Sequence, residues 1–403
     1  MTTVRPLAVP TGPRVAQVLP ALEAALRGGA PVAPYGPAEP APHLPEPDRL
    51  PDGLALCVGT SGSTGRVKRA MLTRDNLLAS ARSTHEVLGG DGTWLLAMPA
   101  HHVAGLQVLV RSLVAGTTPG VLDLGGGFTA AGFVAATAAL TGAGRRYTAV
   151  VPTQLTRLLE DPAGAAALAS YDGVLVGGAA TPPAVVRAAA AVGVRLVRTY
   201  GGSETAGGCV YDGLPLPVSE VHIDNDGHVV LGGVTVAHGY LGEPALTADA
   251  FAVDADGTRW FRTDDLGRLD DEGRLEIVGR ADDVINTGGL KVTPGTVEDA
   301  VSRFVPGVRD VVVVGTPHRT WGEAVSAVVT LQRGAPTPSL RDVRTALRGV
   351  VPDHALPQRL LLLDALPLRG PGKPDRRALV QVFADQDEAD ETLVARRTDA
   401  GPG

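Results

Sequence analysis

The run Thr60-Ser61-Gly62-Ser63-Thr64-Gly65-Arg66-Val67-Lys68 carries the strongest chemical signal in the sequence. Its hydroxyls, glycines and lysine suit a loop that wraps phosphate with backbone N–H groups, side-chain oxygens and one cation. It is not a Walker loop, because GxxxxGK[ST] is absent. The apolar LALCV precedes it and TRDNLLASARSTHEVL, with helical character, follows, so a strand-loop-helix setting is expected. Taken alone, such a loop is as readily a solvated turn. A second group, Thr199-Tyr200-Gly201-Gly202-Ser203-Glu204-Thr205, is expected directly after a strand. Its glycines allow close backbone approach to a ligand, Tyr200 offers a flat face to a purine, and Glu204 offers hard oxygen to Mg²⁺. By itself this is a weak signal, since a Gly-rich loop with one acid is usually a turn.

Further along come Trp260-Phe261-Arg262-Thr263-Asp264-Asp265-Leu266-Gly267, then Gly279-Arg280-Ala281-Asp282-Asp283, then Gly288-Gly289-Leu290-Lys291-Val292-Thr293-Pro294. Near the C-terminus stands Leu366-Pro367-Leu368-Arg369-Gly370-Pro371-Gly372-Lys373-Pro374-Asp375-Arg376. The only lysines are Lys68, Lys291 and Lys373, three of 36 basic residues, and all fall in these glycine-bearing segments. Lysine is a compact point charge on a flexible stem, whereas guanidinium is a wide fork. A tight phosphate site would select the former; coincidence is the plain alternative.

In this order the motifs resemble the adenylate-forming family of acyl-CoA synthetases, luciferases and peptide-synthetase adenylation domains, from about Leu54 to about Leu379. The resemblance implies a two-step reaction. A carboxylate attacks the α-phosphate of ATP, giving an acyl-adenylate and pyrophosphate, and a thiol then displaces AMP. Cations and aligned N–H donors must offset the repulsion between the two anions. By motif match, Thr60, Ser61, Gly62, Ser63, Thr64, Gly65 and Lys68 would hold the phosphates, Glu204 the Mg²⁺ and Ser203 the α-phosphate. Tyr200, beside Gly201, would stack on adenine, and Asp265 and Arg280 would bind the ribose. Lys373 would bridge the acyl carboxylate and the phosphate, making it with Glu204 the catalytic pair. The small domain would turn about Asp282, so that Gly288 and Gly289 help form a channel for coenzyme A.

Met98-Pro99-Ala100-His101-His102-Val103-Ala104-Gly105 matches the family's Pro-x-x-His-x-x-Gly segment, which places His102, with Gly178, beside the acyl group. A helix-capping or core histidine is the alternative. In the next helix, VAGLQVLVRSLVAG, Gln107 and Arg111 stand four apart on one face. That face is either the helix's solvated stripe or the border of the acyl pocket, where Arg111 would face a second carboxylate. With SETAGGCVYDG and LRGPGKPDRRAL, Arg111 makes the chain look like the short o-succinylbenzoate:CoA ligases of menaquinone biosynthesis. Another aromatic or short acyl acid, or a non-catalytic nucleotide-binding relative serving as regulator or scaffold, are the competing readings. Two departures stand out: a short segment ahead of the hydroxyl loop, and Asp264 where most relatives have Gly.

The elements that must position these groups follow from the pattern of apolar runs. Among 403 residues, LALCV, WLLAM, YTAVV, GVLVG and VRLVR alternate with Ala/Leu-rich helical stretches, which implies parallel α/β layering. From Ser219 to Val278, VHI-DNDG-HVVL and GRL-DDEG-RLEIV read as antiparallel hairpins. The expected class is α/β: a large N-terminal AMP-binding domain over residues 1–281, then a small mobile α+β domain over 282–385 and a polar tail over 386–403. A net charge of −7 without basic runs argues against nucleic acid. No apolar run approaches a membrane span, and a cytoplasmic protein is expected. Cys57 and Cys209 are too few for a disulfide framework and are expected as buried small hydrophobes. The expected partners are ATP, Mg²⁺, coenzyme A and a small carboxylic acid; a homo-oligomer is left open.

Overall fold

The structure, a computed structural model, describes residues 3–45, 49–61, 67–142, 144–369 and 373–386. The chain forms two compact units, Met1–Thr263 with Gly267–Glu276, and Asp264–Leu266 with Ile277–Gly403.

The first unit opens on a four-stranded sheet of β1 (Arg5–Ala8), β2 (Val32–Tyr35), β3 (Leu54–Ser61) and β4 (Val67–Thr73), in that order. Strands β1 to β3 run parallel, and β3 pairs antiparallel with β4 through Thr60↔Lys68 and Ser61↔Val67. The expected strand-loop-helix setting of the hydroxyl run is therefore corrected: the described residues on its two sides are paired strands, β3 and β4. The reason lies in Val67-Lys68-Arg69-Ala70-Met71-Leu72, whose fully buried Ala70 and Leu72 alternate with partly exposed residues in the period of a strand. Helix α1 (Leu19–Leu26) comes earlier in the chain, and α2 (Arg74–Leu88) begins only after β4. Thr73 caps α2 reciprocally with Asn76: Asn76 N donates to Thr73 Oγ1 and Thr73 N donates to Asn76 Oδ1. LALCV thus belongs to this sheet and not to the large parallel one.

That larger sheet comprises β5 (Gly92–Leu96), β6 (Gly120–Val121), β7 (Arg145–Val150), β8 (Gly173–Val176), β9 (Leu196–Gly202), β10 (Gly207–Tyr211) and β11 (Leu214–Pro215). Its order is β11-β10-β9-β8-β7-β5-β6. Neighbours from β6 to β9 are parallel, as the alternation of apolar and helical runs requires, while β9-β10 and β10-β11 are antiparallel. Helices α2 and α3 (Val103–Val114) bring Leu77, Ala81, Leu106 and Leu109 into one core with Leu56, Leu72, Trp94 and Tyr147. Full burial of each large side chain stabilises by about 1.5–3 kcal/mol. Cys57 and Cys209 are buried, and burial pushes both thiols up to about 12.

A third sheet holds β12 (Ser219–Ile223), β13 (His228–Gly233), β14 (Phe251–Val253) and β15 (Arg259–Leu269), and β16 (Leu275–Arg280) pairs with β15. One device makes its turns. Asp224, Asp254 and Asp270 each accept from the backbone N–H groups two and four residues on, at 2.7 to 3.0 Å. The glycine three residues after each aspartate has positive φ, so both features are local and readable in the sequence. The division between the units cuts the β15-β16 arms, with Gly267–Glu276 in the first unit and Asp264–Leu266 in the second. It falls a few residues before the expected boundary at 281/282.

In the second unit, β17 (Ile285–Thr287), β18 (Leu290–Val292), β19 (Val308–His318), β20 (Gly322–Leu331) and β21 (Arg359–Leu362) form a sheet ordered β18-β17-β20-β19, with β21 parallel on β20. Helices Pro294–Phe304 and Leu340–Leu347 pack Val297, Val301, Val343 and Leu347 against Val313, Val325, Ala327 and Val329. The expected small α+β set is present. Hairpin strands β22 (Leu368–Arg369) and β23 (Lys373–Pro374) pair through Arg369↔Lys373, ahead of a helix over 376–386. Among the described residues, no helix is long and apolar enough to cross a membrane.

Candidate active site

Of the hydroxyl run, Gly62, Ser63, Thr64, Gly65 and Arg66 lie outside the described residues; Thr60 and Ser61 end β3, and Lys68 is the second residue of β4. The β9-β10 connection meets these strands. Ser203 Oγ donates to the carbonyl of Gly59 at 3.1 Å, and Ser203 and Glu204 are buried, at 7% and 9% exposure. Tyr240 joins the two segments. Its hydroxyl donates to Glu204 Oε1 at 3.0 Å, and the Lys68 ammonium sits 4.7 Å above its ring. One cation, one carboxylate and one hydroxyl from three parts of the chain are thus gathered at one tyrosine. Nothing in its spacing marks Tyr240, within Gly239-Tyr240-Leu241-Gly242, as their meeting point.

The resemblance implies Mg²⁺ at Glu204, and the side chain suits it as one hard ligand. Tyr240 occupies one carboxylate oxygen, while the other lies toward Gly202, where a Cβ would come within 3.0 Å of it. Mg²⁺ is commonly held by one or two carboxylates, with waters and substrate phosphates completing its shell.

Thr199 to Gly202 lie within β9, not after it, and Ser203–Thr205 form a single 3-10 turn. Tyr200 is half-buried against the cluster of Cys209, Val210 and Leu231. Gly201 has φ +145°, and a Cβ there would lie 2.4 Å from the Gly207 carbonyl. The close β9-β10 approach requires this glycine.

The polar face of α3 is buried, so its reading as a solvated stripe is excluded. Gln107 is fully buried, with Nε2 donating to the Ala206 carbonyl at 2.6 Å and Oε1 without a partner. Arg111, 3% exposed, donates from Nη2 to the Tyr211 hydroxyl at 3.3 Å, and its guanidinium lies 4.9 Å from the Trp94 ring. Its Nε has no hydrogen-bond partner. Burial pulls the Arg111 pKa below the ordinary guanidinium value, with Tyr211 opposing. From one helix face, Gln107 and Arg111 thus bond to Ala206 and Tyr211 in the β9-β10 region, each with one buried atom left unpartnered. His102 stands at the N-cap position of α3 but its side chain makes no capping bond; its ring lies 4.1 Å from that of His101. Gly178, just beyond β8, has φ +83°.

Asp265, Arg280, Asp282, Gly288, Gly289 and Lys373 all belong to the second unit. Arg280 is held by three carboxylates. Nη1 meets Asp265 at 3.3 Å, Nη2 meets Asp264 at 3.3 Å, and Nε meets Asp282 at 2.8 Å. Burial alone would lower its pKa, but the bonds and charges of Asp282, Asp265 and Asp264 outweigh burial and raise it. The extra acid Asp264 thus has a definite partner. Gly288 and Gly289, with φ +60° and +81°, make the two-residue turn between β17 and β18, where Thr287 pairs with Leu290. Positive φ at both central positions is what such a turn demands.

A family model described as AMP-binding enzyme matches residues 11–241, and one described as AMP-binding enzyme C-terminal domain matches residues 296–373. The chain belongs to the AMP-binding enzyme family. It is 44% identical, over 390 residues, to a probable 2-succinylbenzoate–CoA ligase of Mycobacterium tuberculosis, covering 95% of this chain and 99% of the relative. A 2-succinylbenzoate–CoA ligase of Listeria monocytogenes is 30% identical over 340 residues, 79% of this chain and 68% of the relative. The crystal structure of ATP-bound MatB from Rhodopseudomonas palustris matches with a TM-score of 0.73 at 27% identity, over 94% of this chain and 79% of that one.

Proposed function

We propose that the protein activates o-succinylbenzoate with ATP and transfers the acyl group to coenzyme A. In the first step a carboxylate oxygen bonds to the α-phosphorus and pyrophosphate leaves. In the second, the thiol sulfur bonds to the acyl carbon, AMP leaves with the bonding pair, and the thiol proton passes to solvent. The product is o-succinylbenzoyl-CoA. Lys68 and the hydroxyl loop offset phosphate charge, Ser203 faces the α-phosphate, and Glu204 is the carboxylate that would hold Mg²⁺, which when bound neutralises phosphate charge. Tyr200 lies against the adenine, and Asp265 and Arg280 take the ribose hydroxyls. Lys373 bridges the acyl carboxylate and the phosphate. The unit that carries Lys373 turns about Asp282 between half-reactions, bringing Gly288 and Gly289 to the thiol path. His102 and Gly178 border the acyl group. A cytoplasmic location goes with this reading.

The observation that carries the choice of acid is Arg111, a cation buried on α3 with Nε unpartnered. A dicarboxylate needs such a counter-ion for the carboxylate that does not react. The relatives named as 2-succinylbenzoate–CoA ligases support the same acid. Pyrophosphate release with ATP across a panel of aromatic and short acyl acids tests the proposal. Preference for o-succinylbenzoate, with o-succinylbenzoyl-CoA formed when coenzyme A is added, is the expected result. Turnover of another acid alone overturns the substrate, and absence of turnover with every acid points to a non-catalytic relative.

A further inference from the structure

The buried surroundings of Arg111 contain a histidine that the adenylation chemistry does not use. His85, in the last turn of α2, is 3% exposed. Its Nε2 accepts from the Trp94 indole Nε1–H at 3.0 Å, and its Nδ1 lies 2.8 Å from Asp91 Oδ1. An indole N–H only donates, so His85 Nε2 must be bare and its hydrogen sits on Nδ1, which lies near the Asp91 carboxylate without making a hydrogen bond to it. The turn ending α2 returns Asp91 to this position: Gly89 and Gly90 have φ +92° and +130°, and Gly90 N donates to the His85 carbonyl at 2.7 Å.

Trp94 is fully buried in β5, and its face lies under the Arg111 guanidinium at 4.9 Å. On the other side, the Tyr211 hydroxyl that accepts from Arg111 is itself bonded to Thr84 Oγ1 at 2.9 Å, one residue before His85. Residues 84 and 85 of α2 therefore reach Arg111 by two routes, through Tyr211 and through Trp94. Both leave the guanidinium Nε unpartnered. The charged or titratable groups facing His85 are Asp91, Arg111 and the ring of Tyr147 on β7.

We propose that His85 is a positioning residue for the acid-binding arginine: by accepting the Trp94 N–H it fixes the indole plane on which Arg111 rests, and so sets affinity for the distal carboxylate of a dicarboxylate substrate. This rests on the reading of Arg111 given under the proposed function. Without an acceptor the indole N–H is a buried, unsatisfied donor, and the ring turns to find another partner. The loss should be felt by the acid and not by ATP.

The test is steady-state kinetics of the full chain with o-succinylbenzoate, its mono-ester and ATP. His85→Leu, which cannot accept a hydrogen bond, should raise the KM for o-succinylbenzoate by about five- to tenfold and leave the KM for ATP within about twofold. His85→Gln, whose amide oxygen can accept from Trp94, should recover most of that loss. In an Arg111→Ala background His85→Leu should add nothing, because the group it positions is gone. Trp94→Phe keeps a ring and removes the N–H; it should reproduce the KM rise and serves if His85→Leu does not fold. A raised KM in Arg111→Ala with His85→Leu and Trp94→Phe both silent, or an equal rise in the KM for ATP, overturns the relay alone. An unchanged KM in Arg111→Ala overturns the reading of Arg111 and the relay with it.

Discussion

Arg111→Ala tests the substrate assignment most directly, and its size follows from the surroundings. A carboxylate entering a mostly apolar pocket loses several kcal/mol of hydration unless a cation and hydrogen bonds replace the water. Arg111 is the only arginine or lysine in α3, and its unpartnered Nε is free to donate. A hydrogen bond to a charged group contributes about 1.5–3 kcal/mol, so the KM for o-succinylbenzoate should rise about 10–100-fold. Truncation removes a cation–π contact worth up to about 2 kcal/mol over Trp94 and one long bond to Tyr211 at 3.3 Å. It also relieves a buried, unsatisfied N–H that costs about 1–3 kcal/mol, but it leaves a cavity in the core whose lost packing lowers the melting temperature, so the loss on the dicarboxylate is read against the mono-ester and not against stability. Steady-state kinetics on the dicarboxylate and on its mono-ester, with ATP saturating, give the comparison. The mono-ester should lose nothing. An unchanged KM for o-succinylbenzoate, or equal losses on both substrates, would refute the reasoning.

Lys373→Ala should slow acyl-adenylate formation by about 10²–10³-fold, the scale for losing one transition-state charge donor, while thioester formation from supplied acyl-adenylate persists; equal loss of both half-reactions would contradict domain alternation. Glu204→Gln should weaken the thermal protection given by ATP with Mg²⁺ without unfolding the apo protein, as read by melting curves with and without nucleotide. Burial holds the His85 pKa below its free value, against the pull of Asp91 and with Arg111 adding to the fall. The unfolded chain therefore takes up the proton first, so this contribution to stability is full above about pH 6.5 and is lost as pH falls toward the folded value. Chemical unfolding at a series of pH values should show a shallower acid-side slope in His85→Gln than in the parent.

Much of this protein is decided by residues close together in the chain. The hairpin turns at Asp224, Asp254 and Asp270 form because each carboxylate binds backbone N–H groups within four residues and each following glycine tolerates positive φ. The parallel run from β6 to β9 follows from apolar segments alternating with helical ones, and the turn at Gly288-Gly289 from its two glycines. The pairing of Gln107 with Arg111 on one helix face is equally local, because a four-residue spacing fixes it. Periodicity, however, reports a face and not what covers it. Only the tertiary structure decides that this face is buried against Ala206, Tyr211 and Trp94, and that Arg111 keeps an unpartnered nitrogen there. In the same way the residues after the hydroxyl run form a strand because β4 finds its partner in β3, although the helical sequence beyond suggests a helix start. Tyr240 joins Lys68 to Glu204 through contacts between segments far apart in sequence. Such contacts depend on which surfaces pack together, and composition and spacing along the chain carry no record of that.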